Sequence, residues 1–152
     1  MRTGDRAPDF TLPAWAAEGA AELTLSAQLG APVVLAFYPG DDTLVCTKQL
    51  CSYQDDLSLL TDLGAVLWGI STQGLDSHER FAAKRGLTFP LLSDVDKRVH
   101  AAYAARGLGP VTKRAVVVVD AAGVVRYHHA SQIGLTYKDT DTIAAVIKGL
   151  SA

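Results

Sequence analysis

The chain has 152 residues, 49% of them hydrophobic and 20% charged, with 14 basic against 16 acidic side chains for a net charge of −2. That size and composition predict one globular domain, residues 1–152, with a core of its own. Balanced charge gives nucleic-acid binding no support. The longest apolar runs, such as residues 116–119, are too short to span a bilayer, and no apolar signal-peptide region follows the charged residues 1–6, so a cytoplasmic protein is expected.

Strand-like and helix-like segments alternate along the chain. An apolar run at 33–38 predicts the first strand. Leu50, Tyr53, Leu57 and Leu60 then recur at spacings of three, four and three, one face of a helix. A second strand is expected at 65–70. Asp76 or Ser77 can cap a helix that runs to about Arg85, with Gly86 as its stop. Residues 96–105 suggest a short helix ending at Gly107. Strands at 115–119 and 124–128 flank a turn at Asp120-Ala121-Ala122-Gly123. Ile143, Val146, Ile147 and Leu150 form a last helical stripe, with Asp139 and Asp141 near its start. This alternation argues for an α/β architecture, a central sheet with helices on both faces. The late hairpin, 114–128, makes that sheet mixed.

The chemistry concentrates in Pro39-Gly40-Asp41-Asp42-Thr43-Leu44-Val45-Cys46-Thr47-Lys48-Gln49-Leu50-Cys51, which holds the only two cysteines. One close pair is no disulfide framework for a domain this large; it points to redox or metal chemistry. A metal would need distant ligands, because His78, His100, His128 and His129 all lie far from the pair in sequence, and the adjacent His128 and His129 would face opposite sides of a strand.

If a helix starts near residues 43–45, Cys46 lies in its first turn, where unpaired amides and the helix dipole favour the thiolate. Its plain alternative is a small buried hydrophobe. Cys51 follows five residues later, which on an ideal helix puts the two Cα atoms roughly 8.6 Å apart. A disulfide needs about 7 Å or less, so the thiols can bond only if the start of the helix unwinds. The spacing differs from C-x-x-C, which disfavours a thioredoxin-type oxidoreductase. The Thr43 hydroxyl, donor and acceptor at once, suits a peroxide held at the helix mouth, and it equally suits a helix N-cap. Pro39 ends the strand and shields the thiol, or simply punctuates the loop.

These residues resemble the active-site signature of peroxiredoxins, P-x-x-x-T-x-x-C, and the second cysteine five residues on resembles the PrxQ or bacterioferritin comigratory protein subfamily. The likeness extends to Gly4-Asp5-Arg6-Ala7-Pro8-Asp9-Phe10, Trp68-Gly69-Ile70-Ser71, Pro90-Leu91-Leu92-Ser93-Asp94 and Arg114-Ala115-Val116-Val117-Val118-Val119-Asp120. It implies a thioredoxin-like fold, a peroxidatic Cys46, a resolving Cys51, and a site completed by Thr43, Arg114 and Pro39. It further implies reduction of hydrogen peroxide and alkyl hydroperoxides through a Cys46 sulfenic acid and a Cys46–Cys51 disulfide, recycling by thioredoxin or a similar dithiol, and a role in antioxidant defence. No metal or organic cofactor is implied, and a resolving cysteine on the same chain permits a monomer.

An arginine beside the thiol would lower its pKa and hold a peroxide oxygen. By position alone Arg114 would be a surface residue at a strand end, with Lys113 and Arg126 as competitors. Two departures stand out. Leu44-Val45 replaces the family's frequent Pro-Gly before the cysteine, adding apolar bulk, and Gln49 replaces a frequent glutamate, making a charged contact neutral. A redox sensor or chaperone-like protein using the same thiol switch is the rival of another class, and a structural zinc site is a second. Trp15, Phe37, Tyr38, Trp68, Phe89 and Tyr103 are expected in the core or its cover, while His78, His100 and the Asp41-Asp42 pair are expected in solvent.

Overall fold

The structure is a computed structural model that describes residues 3–28, 30–41, 44–103, 114–131 and 140–150, the side chains of 44–47 and 130–131 excepted. Seven strands form one sheet. In chain order they are β1 (Thr11–Ala16), β2 (Gly19–Thr24), β3 (Val33–Phe37), β4 (Val66–Ser71), β5 (Leu91–Ser93), β6 (Arg114–Val119) and β7 (Val125–Ser131). Their order across the sheet is β2-β1-β5-β4-β3-β6-β7. β3, β4 and β5 run parallel, and the β1–β2 hairpin and β6–β7 hairpin flank them antiparallel. The sheet is therefore mixed, as the late hairpin predicted.

Strict alternation along the central strands builds two cores. Val34, Ala36, Leu67, Leu91, Val116 and Val118 face one side. There they meet α1 (Leu44–Asp55) through Leu50 and Tyr53, α2 (Leu57–Thr61) through Leu60, α3 (Leu75–Arg85) through Phe81, and α5 (Thr140–Leu150) through Ile143 and Ile147. Val33, Leu35, Phe37, Trp68, Ile70, Leu92, Ala115, Val117 and Val119 face the other side, where α4 (Arg98–Ala102) supplies Val99. Full burial of a residue such as Leu50 contributes about 1.5–3 kcal/mol, and this anchors the second half of α1 to the sheet. No helix among the described residues is long and apolar enough to cross a membrane.

The single helix expected over 50–60 is two helices broken at Asp56, and the first begins earlier, at Leu44. Gly86 ends α3 in a left-handed conformation (φ 68°) as expected, but Gly74, not Asp76 or Ser77, stands at its N-cap. Of the predicted helix 96–105, residues Arg98–Ala102 are helical, and its expected end at Gly107 lies outside the described residues. β1, β2 and β5 are strands that the apolar runs did not signal. The expectation that His100 is solvated is corrected: it is fully buried. Its Nδ1 lies 2.7 Å from Asp94 Oδ2, and its ring meets Phe37 edge-on at 5.0 Å. Burial pushes the Asp94 carboxyl up, but hydrogen bonds from the His100 side chain and the His100 and Val99 amides outweigh it and hold the pKa below the usual value.

Candidate active site

β3 is a run of apolar residues that pairs with strands on both edges, and it ends where Tyr38 and Pro39 leave the sheet. From that end the chain turns into α1, so the cysteine-bearing helix starts at the carboxyl edge of the parallel strands, where open α/β sheets form their crevices. Cys46 is the third residue of α1 and lies within its first turn. Cys51 is on the same continuous helix, half-buried and carrying a free thiol. Burial pushes its pKa up, and Asp55 adds to that push while the Arg85 cation opposes it. Helix α1 is thus intact across both cysteines, the arrangement for which ideal geometry separates their Cα atoms by roughly 8.6 Å.

β6 runs antiparallel to β3 with Ala115 opposite Phe37, so its first residue, Arg114, reaches the same edge. The surface position that strand-end reasoning favoured is corrected: Arg114 is buried, at 3% exposure. It donates a hydrogen bond to Gln49 Oε1, and Gln49 Nε2 lies 3.3 Å from the Tyr53 hydroxyl. Gln49 is fully buried and stands one helical turn after Cys46. The competitor Arg126 is half-exposed and pairs with Asp120 instead, and Lys113 lies outside the described residues. Pro39 is half-buried beside the fully buried Tyr38. Thr43 lies outside the described residues.

Asp41 corrects the expectation of a solvated acidic loop. It is 8% exposed, and its carboxylate gathers three partners. Tyr38 Oη donates to Oδ1 at 2.6 Å, Ser77 Oγ donates to Oδ2 at 2.8 Å, and His78 Nδ1 lies 2.7 Å from Oδ2. The Asp41 amide donates to Gln73 Oε1. His78, expected in solvent, is fully buried, with its Nε2 3.0 Å from the Leu92 carbonyl oxygen. The two ring nitrogens thus link the Asp41 carboxylate to the Leu92 carbonyl of β5. The sequence gives no local sign of this cluster, because Asp41 and His78 are separated by 37 positions. Among the described residues, no group of three or more His, Cys, Asp or Glu side chains is arranged to hold a metal ion.

The model of the AhpC/TSA family matches residues 3–128. The chain belongs to this family. Within it the chain sits with the bcp and peroxiredoxin Q relatives. It is 42% identical over 103 residues to a putative peroxiredoxin bcp of Coxiella burnetii, covering 68% of this chain and 66% of that one. It is 37% identical over 131 residues to the chloroplastic peroxiredoxin Q of Triticum aestivum, covering 85% of this chain and 59% of that one. The chain therefore spans less than two thirds of the length of these peroxiredoxins. Among solved structures, the bacterioferritin comigratory protein of Xanthomonas campestris superimposes with a TM-score of 0.81 at 25% identity, covering 94% of this chain and 92% of that one. The α/β sheet described above is accordingly the thioredoxin-like fold of peroxiredoxins.

Proposed function

We propose that residues 1–152 act as one unit, a thiol-dependent peroxidase that reduces hydrogen peroxide and alkyl hydroperoxides. The observation that carries this reading is one helix: α1 bears Cys46 in its first turn and Cys51 further on, and Arg114 is bonded to it at Gln49. The helix start and a nearby guanidinium both favour the Cys46 thiolate. Family membership supports the same chemistry, as does the alkyl peroxide reduction activity described for the Xanthomonas protein.

The Cys46 thiolate attacks the O–O bond and takes one oxygen as sulfenic acid, while the departing hydroxide or alkoxide takes up a proton. Thr43 and Arg114 hold the peroxide, and Pro39 covers the thiol. The start of α1 then unwinds. The Cys51 thiol condenses with the sulfenic acid, forming the Cys46–Cys51 disulfide and releasing water. Thioredoxin or a similar dithiol reduces that bond by exchange, becoming a disulfide itself. The whole cycle runs on one chain, so a monomer in the cytoplasm is competent, serving antioxidant defence.

Steady-state turnover with thioredoxin, its reductase and NADPH tests the reading. Cys46→Ser should abolish peroxide consumption. Cys51→Ser should permit a single round and block recycling. Arg114→Lys keeps a charge but loses the planar fork, and should slow peroxide reduction about tenfold or more. Wild-type turnover in Cys46→Ser would refute the peroxidase reading, and one equivalent consumed without recycling by the wild type would favour the redox-sensor alternative.

A further inference from the structure

We propose that Asp41 and His78 are positioning residues that form the fixed hinge of the segment carrying Cys46, so that unwinding starts after Asp41 and does not spread into β3. This rests on the peroxidase reading above and specifies which residues divide the two steps of its cycle.

The chain on either side of the cysteine's turn is pinned. Upstream, the Asp41 carboxylate is tied at once to Tyr38 at the end of β3 and to Ser77 and His78 on α3. His78 passes the tie on to the Leu92 carbonyl of β5, and the Asp41 amide is held by Gln73. Every one of these groups is at least partly buried, where removing one partner leaves the other's polar atoms without a hydrogen bond and is costly. Downstream, α1 is held by Gln49 on Arg114, by the buried Leu50 and Tyr53, and by Gln54, which accepts the Thr88 amide at 2.8 Å. Between the pins lie residues 42–48, of which Lys48 is exposed.

Cys46 lies between the pins and Cys51 lies within the second one, among Gln49, Leu50, Tyr53 and Gln54. Bringing the two Cα atoms from roughly 8.6 Å to disulfide range demands a change of only about 2 Å. Unwinding between the pins meets that demand with Cys51 held in place. Loosening the upstream pin frees the segment more widely. The thiolate then spends less time at the helix mouth, so sulfenic acid forms more slowly. Condensation, Cys46–SOH + Cys51–SH → Cys46–S–S–Cys51 + H2O, is not slowed. Its competitor, Cys46–SOH + ROOH → Cys46–SO2H + ROH, therefore claims fewer chains.

The experiment is rapid-mixing kinetics of the full chain with hydrogen peroxide, reading sulfenic acid formation, disulfide formation and the fraction overoxidised at high peroxide. His78→Gln should slow the first step about tenfold, leave disulfide formation at or above its wild-type rate, and reduce overoxidation at least twofold. Ser77→Ala, which removes one partner of Asp41, should move all three in the same direction by less, and it serves where His78→Gln folds poorly. His100→Gln breaks the other buried His–Asp pair, on the opposite face of the sheet, and should lower the melting temperature without moving the ratio of the two steps. The hinge is overturned if His78→Gln and Ser77→Ala leave the ratio unchanged, or if His100→Gln shifts it equally. Failure of the wild type to form any sulfenic acid would instead defeat the peroxidase reading itself.

Discussion

Arg114, the first residue of β6, donates a hydrogen bond to the side-chain carbonyl of Gln49, one turn after Cys46 on α1. A buried guanidinium thus meets a neutral amide at this contact. The contact fixes the cation without cancelling its charge, which leaves more of its field for a thiolate at the helix start.

Gln49→Glu should therefore keep the contact and weaken its electrostatic effect. The new carboxylate would neutralise Arg114 and add an anion one turn from Cys46. The Cys46 pKa should rise, and peroxide reduction at neutral pH should slow by about two- to tenfold. Alkylation rate against pH in a Cys51→Ser background measures the shift. A lowered pKa would show that Arg114 does not act on the thiol through its charge.

Cys51 supplies a stability prediction with a definite sign. Burial raises its folded-state pKa above the ordinary thiol value. In the window between the two, the folded chain binds more protons than the unfolded one, so unfolding free energy falls as pH rises. The stabilising contribution is complete below the unfolded-state value and is lost as pH climbs through the folded one. Reduced wild type should lose melting temperature relative to Cys51→Ser as pH rises through the alkaline range. Parallel melting curves for the two proteins would contradict the burial argument.

Gly69 makes a backbone test of the packing beneath the site. It lies in β4 between Ala36 and Leu91, and a Cβ there would come within 2.9 Å of Leu91 Cδ2 and 3.3 Å of Tyr38 Cε1. Gly69→Ala should cost about 1–3 kcal/mol by overpacking, readable by denaturant unfolding. The displaced Tyr38 ring should also weaken its hydrogen bond to Asp41, so peroxidase activity should fall alongside stability.

The parts of this molecule that were legible in its sequence are those written locally. The β-branched runs became β3, β4 and β6, and the cysteine spacing placed both thiols on one helix. β1 and β2 were not legible because Pro13 and the alanines of 14–21 carry little strand propensity, and β2 is an exposed edge strand. β5 is only three residues long. The buried polar contacts were hidden for a different reason. Arg114 and Gln49 are 65 positions apart, and His78 sits in a helix whose charged neighbours suggest solvent. Only the tertiary fold makes Asp41 and His78 a buried pair. Thr43 remains a sequence expectation, since it lies outside the described residues.

On the proposed cycle the start of α1 opens so that Cys46 and Cys51 can bond. The mass of the reduced protein after one equivalent of hydrogen peroxide tests it most directly. The expected result is a loss of two hydrogens, with a proteolytic fragment that joins Cys46 to Cys51, and no such loss in Cys46→Ser or Cys51→Ser. A wild-type protein that consumes the peroxide and instead keeps an added oxygen on Cys46 beside a free Cys51 would contradict it.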